Sequence, residues 1–349
     1  MAAQDFTLSC PIPFTDRKTI VLGHGSGGKL TAELMRDVFL PAFDNEVLRR
    51  MDDQAVLTAG SERIAFTTDS FVVTPLFFPG GDIGQLAVNG TVNDLAMSGA
   101  QPLFLSAAFI LEEGFPLEEL LRVTQSMADA ARAAGVAIVT GDTKVVSKGS
   151  ADKVFITTSG IGLLRAGVTV SASLARAGDK VILSGTMGDH GIAVMSAREG
   201  LEMGGTIASD TAPLHRLVDV MLAAGEVHCL RDPTRGGLAT SLCEIASTAR
   251  IGVEIRADAI PVHPEVKAVC EILGLDPLFV ANEGKLVAFV PASCADDVLA
   301  AMRQRPEGKD AAIIGEAVEK HPGMVLLTTE VGGTRILDLP FTEQLPRIC

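Results

Sequence analysis

Thr67-Thr68-Asp69-Ser70, an apolar run through Phe78, a Pro79-Gly80-Gly81 break and then Asp82 to Gly99 form the stretch around which this chain is organised. Residues 63–70 read as a strand, with Ile64, Ala65 and Phe66 leading to the polar Thr67-Thr68-Asp69 at its exit. Asp82 is placed to cap a following helix, because its side chain can accept the unpaired first-turn amides. On that helix Asn89 and Asn93 stand four apart on one face, with Asp94 one step round. Gly90 and Ser98 lie four residues either side of Asp94, where a helix made only for core packing would carry Leu or Val. Carboxylates, amides and small neighbours at one strand–helix junction suit a metal-bound polyphosphate, since hard cations take oxygen ligands. A capped helix facing solvent is the other reading of the same residues.

Outward from this stretch, composition narrows the partners. A formal charge of −14 argues against a nucleic-acid backbone or an anionic membrane, and the chain has no Trp or Tyr on which bases could stack. A nucleotide could still bind through its metal and through backbone amides. The 349 residues suffice for two domains, whose interiors must be filled by Ala, Val, Leu, Ile, Met and Phe. No signal peptide or membrane-spanning apolar run is visible, so the expected setting is soluble and cytoplasmic. The six Cys (10, 229, 243, 270, 294, 349) show no C-x-x-C spacing, which indicates neither a zinc site nor a disulfide framework.

In chain order, residues 1–45 read as an arm. Ile20-Val21-Leu22 leads into Gly23-His24-Gly25-Ser26-Gly27-Gly28-Lys29, followed by a helical pattern from Leu30 to Phe39. The loop satisfies G-x-x-x-x-G-K, but Leu30 replaces the Ser or Thr whose hydroxyl would bind magnesium, and the Rossmann reading lacks a βαβ unit. A phosphate-covering lid and a plain turn stay open beside a true P-loop. Residues 46–165 form the expected first domain: a strand entered from Asp52-Asp53-Gln54, the central strand and helix, a strand over 104–111, and an amphipathic helix over 117–134. A short buried strand over 136–139 then ends at Thr140-Gly141-Asp142-Thr143-Lys144, and a strand over 154–164 closes the domain.

A linker is expected over 166–178 and a second domain over 176–321. It has strands at 180–184, 252–256 and 285–290, and helices near 191–200, 213–224, 237–249 and 294–303. Residues 322–349 give a closing strand near 324–329 and a flexible tail ending at Cys349. Both halves run strand, Gly/Asp turn, helix, so two related α/β (α+β) units are expected without a clean repeat.

Asp53, Asp69, Asp94 and Asp142 each stand beside a strand end or on the next helix. Gathered at one sheet edge they would repel unless cations lay between them, which fits magnesium with a triphosphate. Lys144 would add a point charge for a phosphate or a carbonyl. Arg231-Asp232-Pro233-Thr234-Arg235-Gly236-Gly237 can open a helix whose amides face an anion. Asn282-Glu283-Gly284 places a carboxylate between an apolar run and a strand, where a partly desolvated base could sit. Cys349 is a poor autonomous nucleophile but suits a group acylated by another enzyme and carried on a swinging tail; an accidental thiol is the plain alternative.

Thr67-Thr68-Asp69-Ser70, Val88-Asn89-Gly90-Thr91-Val92-Asn93-Asp94-Leu95-Ala96-Met97 and Gly141-Asp142-Thr143-Lys144-Val145-Val146 resemble the ATP-binding motifs of the aminoimidazole ribonucleotide synthetase (PurM-like) superfamily. Within it the glycine loop, the 231–237 segment, Asn282-Glu283-Gly284 and above all Pro346-Arg347-Ile348-Cys349 resemble the HypE family of [NiFe]-hydrogenase maturation factors. The resemblance implies a two-domain fold in which the first domains pair in a homodimer, forming a barrel-like ATP site. It implies that the carbamoyltransferase HypF carbamoylates Cys349, that ATP drives dehydration of this thiocarboxamide to a thiocyanate, and that cyanide passes to iron on a HypC–HypD complex.

By that resemblance Asp53, Asp69, Asp94 and Asp142 would hold Mg2+, and Lys144 and Glu283 would handle the amide proton and charge. Gly25, Ser26, Gly27, Gly28, Lys29, Asn89, Thr91, Asn93 and Asp232 would touch the nucleotide or its metal shell. A selenophosphate synthetase would carry Cys or selenocysteine in the glycine loop, where this chain has His24 and Ser26. A purine-pathway synthetase or a thiamine-phosphate kinase would not need the terminal Cys. A carrier with a regulatory ATP site is the non-enzymatic alternative.

Overall fold

The computed structural model describes residues 19–200, 207–340 and 348–349. The arm carries α1 (Lys29–Leu34) and α2 (Leu40–Phe43), joined through a single π-helical turn. The first domain contains β1 (Ala55–Ala59), β2 (Glu62–Phe71), β3 (Phe77–Phe78), β4 (Gly81–Asp82), α3 (Ile83–Met97), β5 (Ala100–Glu112), α4 (Leu117–Ala134), β6 (Ala137–Val146) and β7 (Val154–Leu164). Its main sheet has the order β1-β2-β7-β5-β6. Only β5 and β6 pair in parallel, as a crossover through α4 requires.

Asp82 caps α3 as expected, accepting from the amides of Gly84 (2.7 Å) and Gln85 (3.1 Å). The solvent-facing reading of this helix fails, because nearly every residue along it is buried. Ile83, Leu86, Val88 and Val92 enter the core under the first sheet, while Ala96 and Met97 enter a core of the second domain. The polar stripe of Asn89, Thr91 and Asn93 is bonded to other elements, so the helix can be buried on that side as well. Gly160 on β7 permits the close approach, since a Cβ there would stand 2.7 Å from Thr91 and 2.8 Å from Leu95.

β6 corrects the expectation of a short buried strand over 136–139. It is a ten-residue edge strand, exposed along almost its whole length. The sheet face turned away from α3 is uncovered as well. Phe66, Ile161 and Phe104 stand opposite one another across three strands and are 41%, 40% and 48% exposed. The sheet of one chain is open, not a closed barrel.

The second domain adds β8 (Asp179–Leu183), α5 (Asp189–Glu199), α6 (His215–Ala224), β9 (Cys229–Arg231), α7 (Gly237–Ala249), β10 (Gly252–Arg256), α8 (Pro264–Leu273), β11 (Val287–Pro291), α9 (Ala295–Arg303), β12 (Ala312–Val318), β13 (Val325–Thr328) and β14 (Thr334–Leu337). Its sheet runs β14-β13-β10-β12-β8-β11-β9. Val181, Leu183, Val287 and Phe289 pack on α7 from one face; Ile182, Ala288 and Val290 pack toward α6 and α9 from the other. The two domains are tied at the segment read as a linker, where Ser171 donates to the Asp52 carboxylate (3.1 Å). No helix among the described residues is long and apolar enough to cross a membrane.

Candidate active site

The carboxylates meet where β2, α3 and the β9–α7 turn converge. Thr67 Oγ1 donates to Asp94 Oδ2 (2.6 Å), and Thr91 Oγ1 donates to Asp69 Oδ2 (3.2 Å). Asp53 lies 2.9 Å from Arg231 Nε, and Arg231 also binds Glu244 at 2.5 Å. Burial pushes the Asp94 carboxyl well above the usual range, and the charges of Asp69, Asp232 and Asp53 push it further. Burial also raises Asp53, although Arg231 opposes it, and raises Asp69 against Arg235. Asp232 is pushed up to about 6, again by burial first. Four crowded carboxylates that each resist ionisation form an all-oxygen donor set suited to a hard dication. Among the described residues no three such groups make a finished cage. Magnesium commonly completes its shell with phosphates and water, so the partial set fits it.

Asp142 and Lys144 do not join this group within one chain. Asp142 stands opposite Ala108, Ala108 opposite Thr157, and Thr157 opposite Ser70. Three strand spacings, roughly 14 Å, therefore separate it from the β2 carboxylate region. Its exposed carboxylate is 3.1 Å from Lys144 Nζ, and that partner holds its pKa below the ordinary value. The parallel pairing of β6 on the far side of β5 is the physical reason.

Three residues expected at the nucleotide or its metal shell have these partners within the chain. Asn93 is saturated by backbone: it donates to Ala212 O (3.0 Å) and Glu283 O (3.2 Å) and accepts from Leu214 N (2.7 Å). It bolts the domains together. Thr91 is fully buried and orients Asp69. Asn89 donates to Thr211 Oγ1 (3.2 Å), while its buried Oδ1 has no hydrogen-bond partner.

The glycine loop folds onto the start of α7. Arg235 donates to Gly25 O (3.1 Å), and Ser26 is buried with its hydroxyl on Gly23 O (2.8 Å). Gly27 adopts φ +77°, and a Cβ there would meet Arg235 O at 2.8 Å, so the contact requires glycine. Gly28 packs on Pro340, and Lys29 Nζ lies 2.7 Å from Asp338. Between the arm and β1–β2 lies a cavity of 800 Å³, lined by Met35, Leu48, Met51 and Phe66 and floored by Asp53 and Thr67. An apolar wall beside carboxylates is the shape a nucleotide takes, base on one side and phosphates on the other.

Glu283 is buried beside this region. Burial, then Asp232, Asp210 and Asp69, push its carboxyl well above the usual range, and its Oε1 has no hydrogen-bond partner. Its amide is fixed by Asp210 Oδ1 (3.0 Å). A Cβ on Gly90 would lie 3.0 Å from Phe71 and 4.0 Å from Glu283 Oε2, so the acid borders the Phe71 cluster. Ile348 is buried in that cluster, and Val72 N donates to Cys349 O (3.1 Å). Cys229, Cys243 and Cys270 are buried; burial lifts the Cys243 thiol to about 12 and the Cys270 thiol to about 11, and raises Cys229 further. Cys10 and residues 341–347 lie outside the described residues.

His190, Ser209 and Asp210 are the site neighbours that the sequence did not single out as such, while Arg235 was named only as part of the 231–237 segment. The turn Gly185–Gly191 flags His190 only as a lone imidazole in a glycine-rich loop, which carries no pairing signal.

The chain matches two family models, the AIR synthase related protein N-terminal domain over residues 51–164 and the corresponding C-terminal domain over 176–326. Fold and site thus define an AIR synthase related protein. The chain is 56% identical over 333 residues to the carbamoyl dehydratase HypE of Cupriavidus necator, covering 95% of each. It superposes on a crystal structure of the hydrogenase maturation protein HypE in complex with ATP with a TM-score of 0.81, at 48% identity, over 95% of this chain and 100% of that one. HypE from a HypE–HypF complex gives a TM-score of 0.84 at 52% identity, over 88% and 99%. Within the AIR synthase related class, the chain belongs to the HypE family.

Proposed function

We propose that this chain is an ATP-dependent carbamoyl dehydratase that converts the S-carbamoyl group of its own Cys349 into a thiocyanate, which supplies cyanide for the iron of a [NiFe] hydrogenase. The observation that carries the reading is the seating of Ile348–Cys349 against the Phe71 cluster, which Glu283 borders. The thiocarboxamide oxygen attacks the γ-phosphorus of ATP and ADP leaves. The amide nitrogen then gives up its two protons as the C–O bond breaks. A C≡N bond forms and phosphate departs with the oxygen. Glu283, poised by burial to take and hold a proton, receives one of them, and the departing phosphate takes the other. Asp53, Asp69, Asp94 and Asp232 would hold Mg2+, which neutralises the polyphosphate when bound. The glycine loop at 25–28, already resting on Arg235, keeps water from the activated group.

A homodimer completes the site in this reading. The row Phe66–Ile161–Phe104 and the exposed β6 favour a second copy as the cover. That copy would bring its Asp142 and Lys144 to the carboxylates they cannot reach within one chain. HypF as carbamoyl donor has a counterpart in the relative solved as a HypE–HypF complex, and a HypC–HypD acceptor follows from the resemblance. We divide the chain into an arm (1–45), an ATP-binding domain (46–165), a C-terminal domain (176–321) and a closing strand with tail (322–349). ADP release separates this enzyme from a carrier with a regulatory ATP site. Turnover should require the carbamoylated chain, and ATP that is bound but not consumed by carbamoylated protein would support the carrier.

A further inference from the structure

His190, on the first turn of α5, is fully buried where the two domains meet, and both of its ring nitrogens are engaged. Ser209 Oγ accepts the Thr211 amide (3.2 Å), so its own proton is available to His190 Nδ1 at 2.8 Å. That assignment leaves Nε2 as the protonated nitrogen, 3.0 Å from the carbonyl oxygen of Ile348. Phe78 from the first domain meets the ring edge-on, with centroids 5.5 Å apart. Burial lowers the imidazole pKa, in keeping with the neutral tautomer the hydrogen bonds require.

The tail end is thus held three ways. The Ile348 side chain is 3% exposed and belongs to an apolar cluster that draws Phe71, Val73 and Phe78 from the first domain and Val194 and Ala281 from the second. Its carbonyl accepts from the second domain through His190. The main-chain oxygen of Cys349 accepts from Val72 in the first. No motif expectation placed His190 beside the tail, and the chemistry of carbamoyl dehydration does not itself call for an imidazole at this position.

We propose that His190, oriented by Ser209, is the positioning residue of a socket that recognises this chain's own Ile348–Cys349 and holds it between the domains for the ATP-dependent step. The socket takes a branched apolar side chain followed by a main-chain carbonyl that needs a donor. It governs presentation of Cys349 to the site, not its loading by the carbamoyl donor enzyme. The proposal rests on the dehydratase reading for its catalytic consequence, while docking itself can be read without turnover.

The test uses full-length protein and two readouts on the tail peptide: the rate of Cys349 alkylation by iodoacetamide, and ATP-dependent loss of water after carbamoylation. A neutral hydrogen bond corresponds to roughly three- to tenfold in an equilibrium. His190→Phe should raise alkylation and slow water loss by about that factor, with ATP affinity and carbamoylation unchanged. His190→Gln, which keeps a donor, should recover most of both. If His190→Phe does not fold, Ser209→Ala and Ile348→Ala should show the same opposed changes. Unaltered alkylation and dehydration in a folded variant, or equal impairment by Phe and Gln, overturns the socket. If wild-type protein shows no ATP-dependent water loss, the dehydratase reading falls, and the alkylation rates still decide whether His190 holds the tail.

Discussion

Asp94 carries the sharpest residue-level consequence. Its folded-state pKa lies above the ordinary value of about 4, so the folded state binds a proton more readily than the unfolded chain does. Without a divalent cation, the folded state therefore loses stability as pH rises from about 4 through the raised values, Asp232 contributing between about 4 and about 6. Asp94→Asn removes that repulsion. It should raise the melting temperature of metal-free protein at pH 7 by a few degrees, abolish the further rise on adding Mg2+, and greatly weaken Mg2+-dependent ATP turnover. A variant that melts lower without metal, or turns over like wild type, would take Asp94 out of the cation set. Glu283 gives a second prediction. Its raised pKa means that the base form appears late, so dehydration should climb with pH above the ordinary carboxylate range. Glu283→Gln should lose that limb and about 10²–10⁴-fold in rate while still binding ATP. Collapse of ATP affinity with normal single-turnover dehydration would reverse the assignment.

At the scale of elements, β6 decides whether one chain or two build the site. If Lys144 serves a site whose Glu283 belongs to the other copy, Lys144→Ala and Glu283→Gln proteins should each be slow alone. Mixed and re-equilibrated, they should recover about a quarter of wild-type activity, because half the dimers are mixed and each has one intact site. No recovery, with mixed dimers demonstrated by mass, would place both groups in one chain's site. The same element shows where sequence reading stops. The helix over 117–134 and the strand over 154–164 were legible to the residue, because their apolar periods are long and cleanly bounded. An apolar run such as Val136–Val139 reads the same whether its cover is a helix or another chain, so β6 was expected to be short and buried. The helix α8 and the strands β9 and β12 went unread, each lying between stronger signals, and β14 falls in the stretch read as tail, where it pairs with β13. An amide stripe on a helix has the same spacing whether it meets a nucleotide or a neighbouring element, so the sequence could not show that Asn93 meets backbone and Asn89 meets Thr211.

For the whole molecule, the domains are joined by polar bolts as much as by apolar cores. Asn93 ties α3 to backbone at 212, 214 and 283, so Asn93→Ala should cost roughly 3 kcal/mol by leaving buried backbone groups unpaired. The loss should appear as a lower midpoint in denaturant unfolding; an unchanged midpoint would mean the contact is dispensable. Cys229, Cys243 and Cys270 are buried with raised thiol pKa values, which disfavours these three for group transfer and agrees with the proposed role of Cys349. The most direct measurement is therefore the mass of the peptide ending at Cys349, followed after incubation with the carbamoyl donor enzyme and then with Mg2+ and ATP. The expected sequence is gain of one carbamoyl group on Cys349, then loss of one water on adding ATP, with neither change in Cys349→Ala. A carbamoyl adduct on an internal cysteine, or a carbamoylated Cys349 that keeps its water in the presence of ATP, would contradict it.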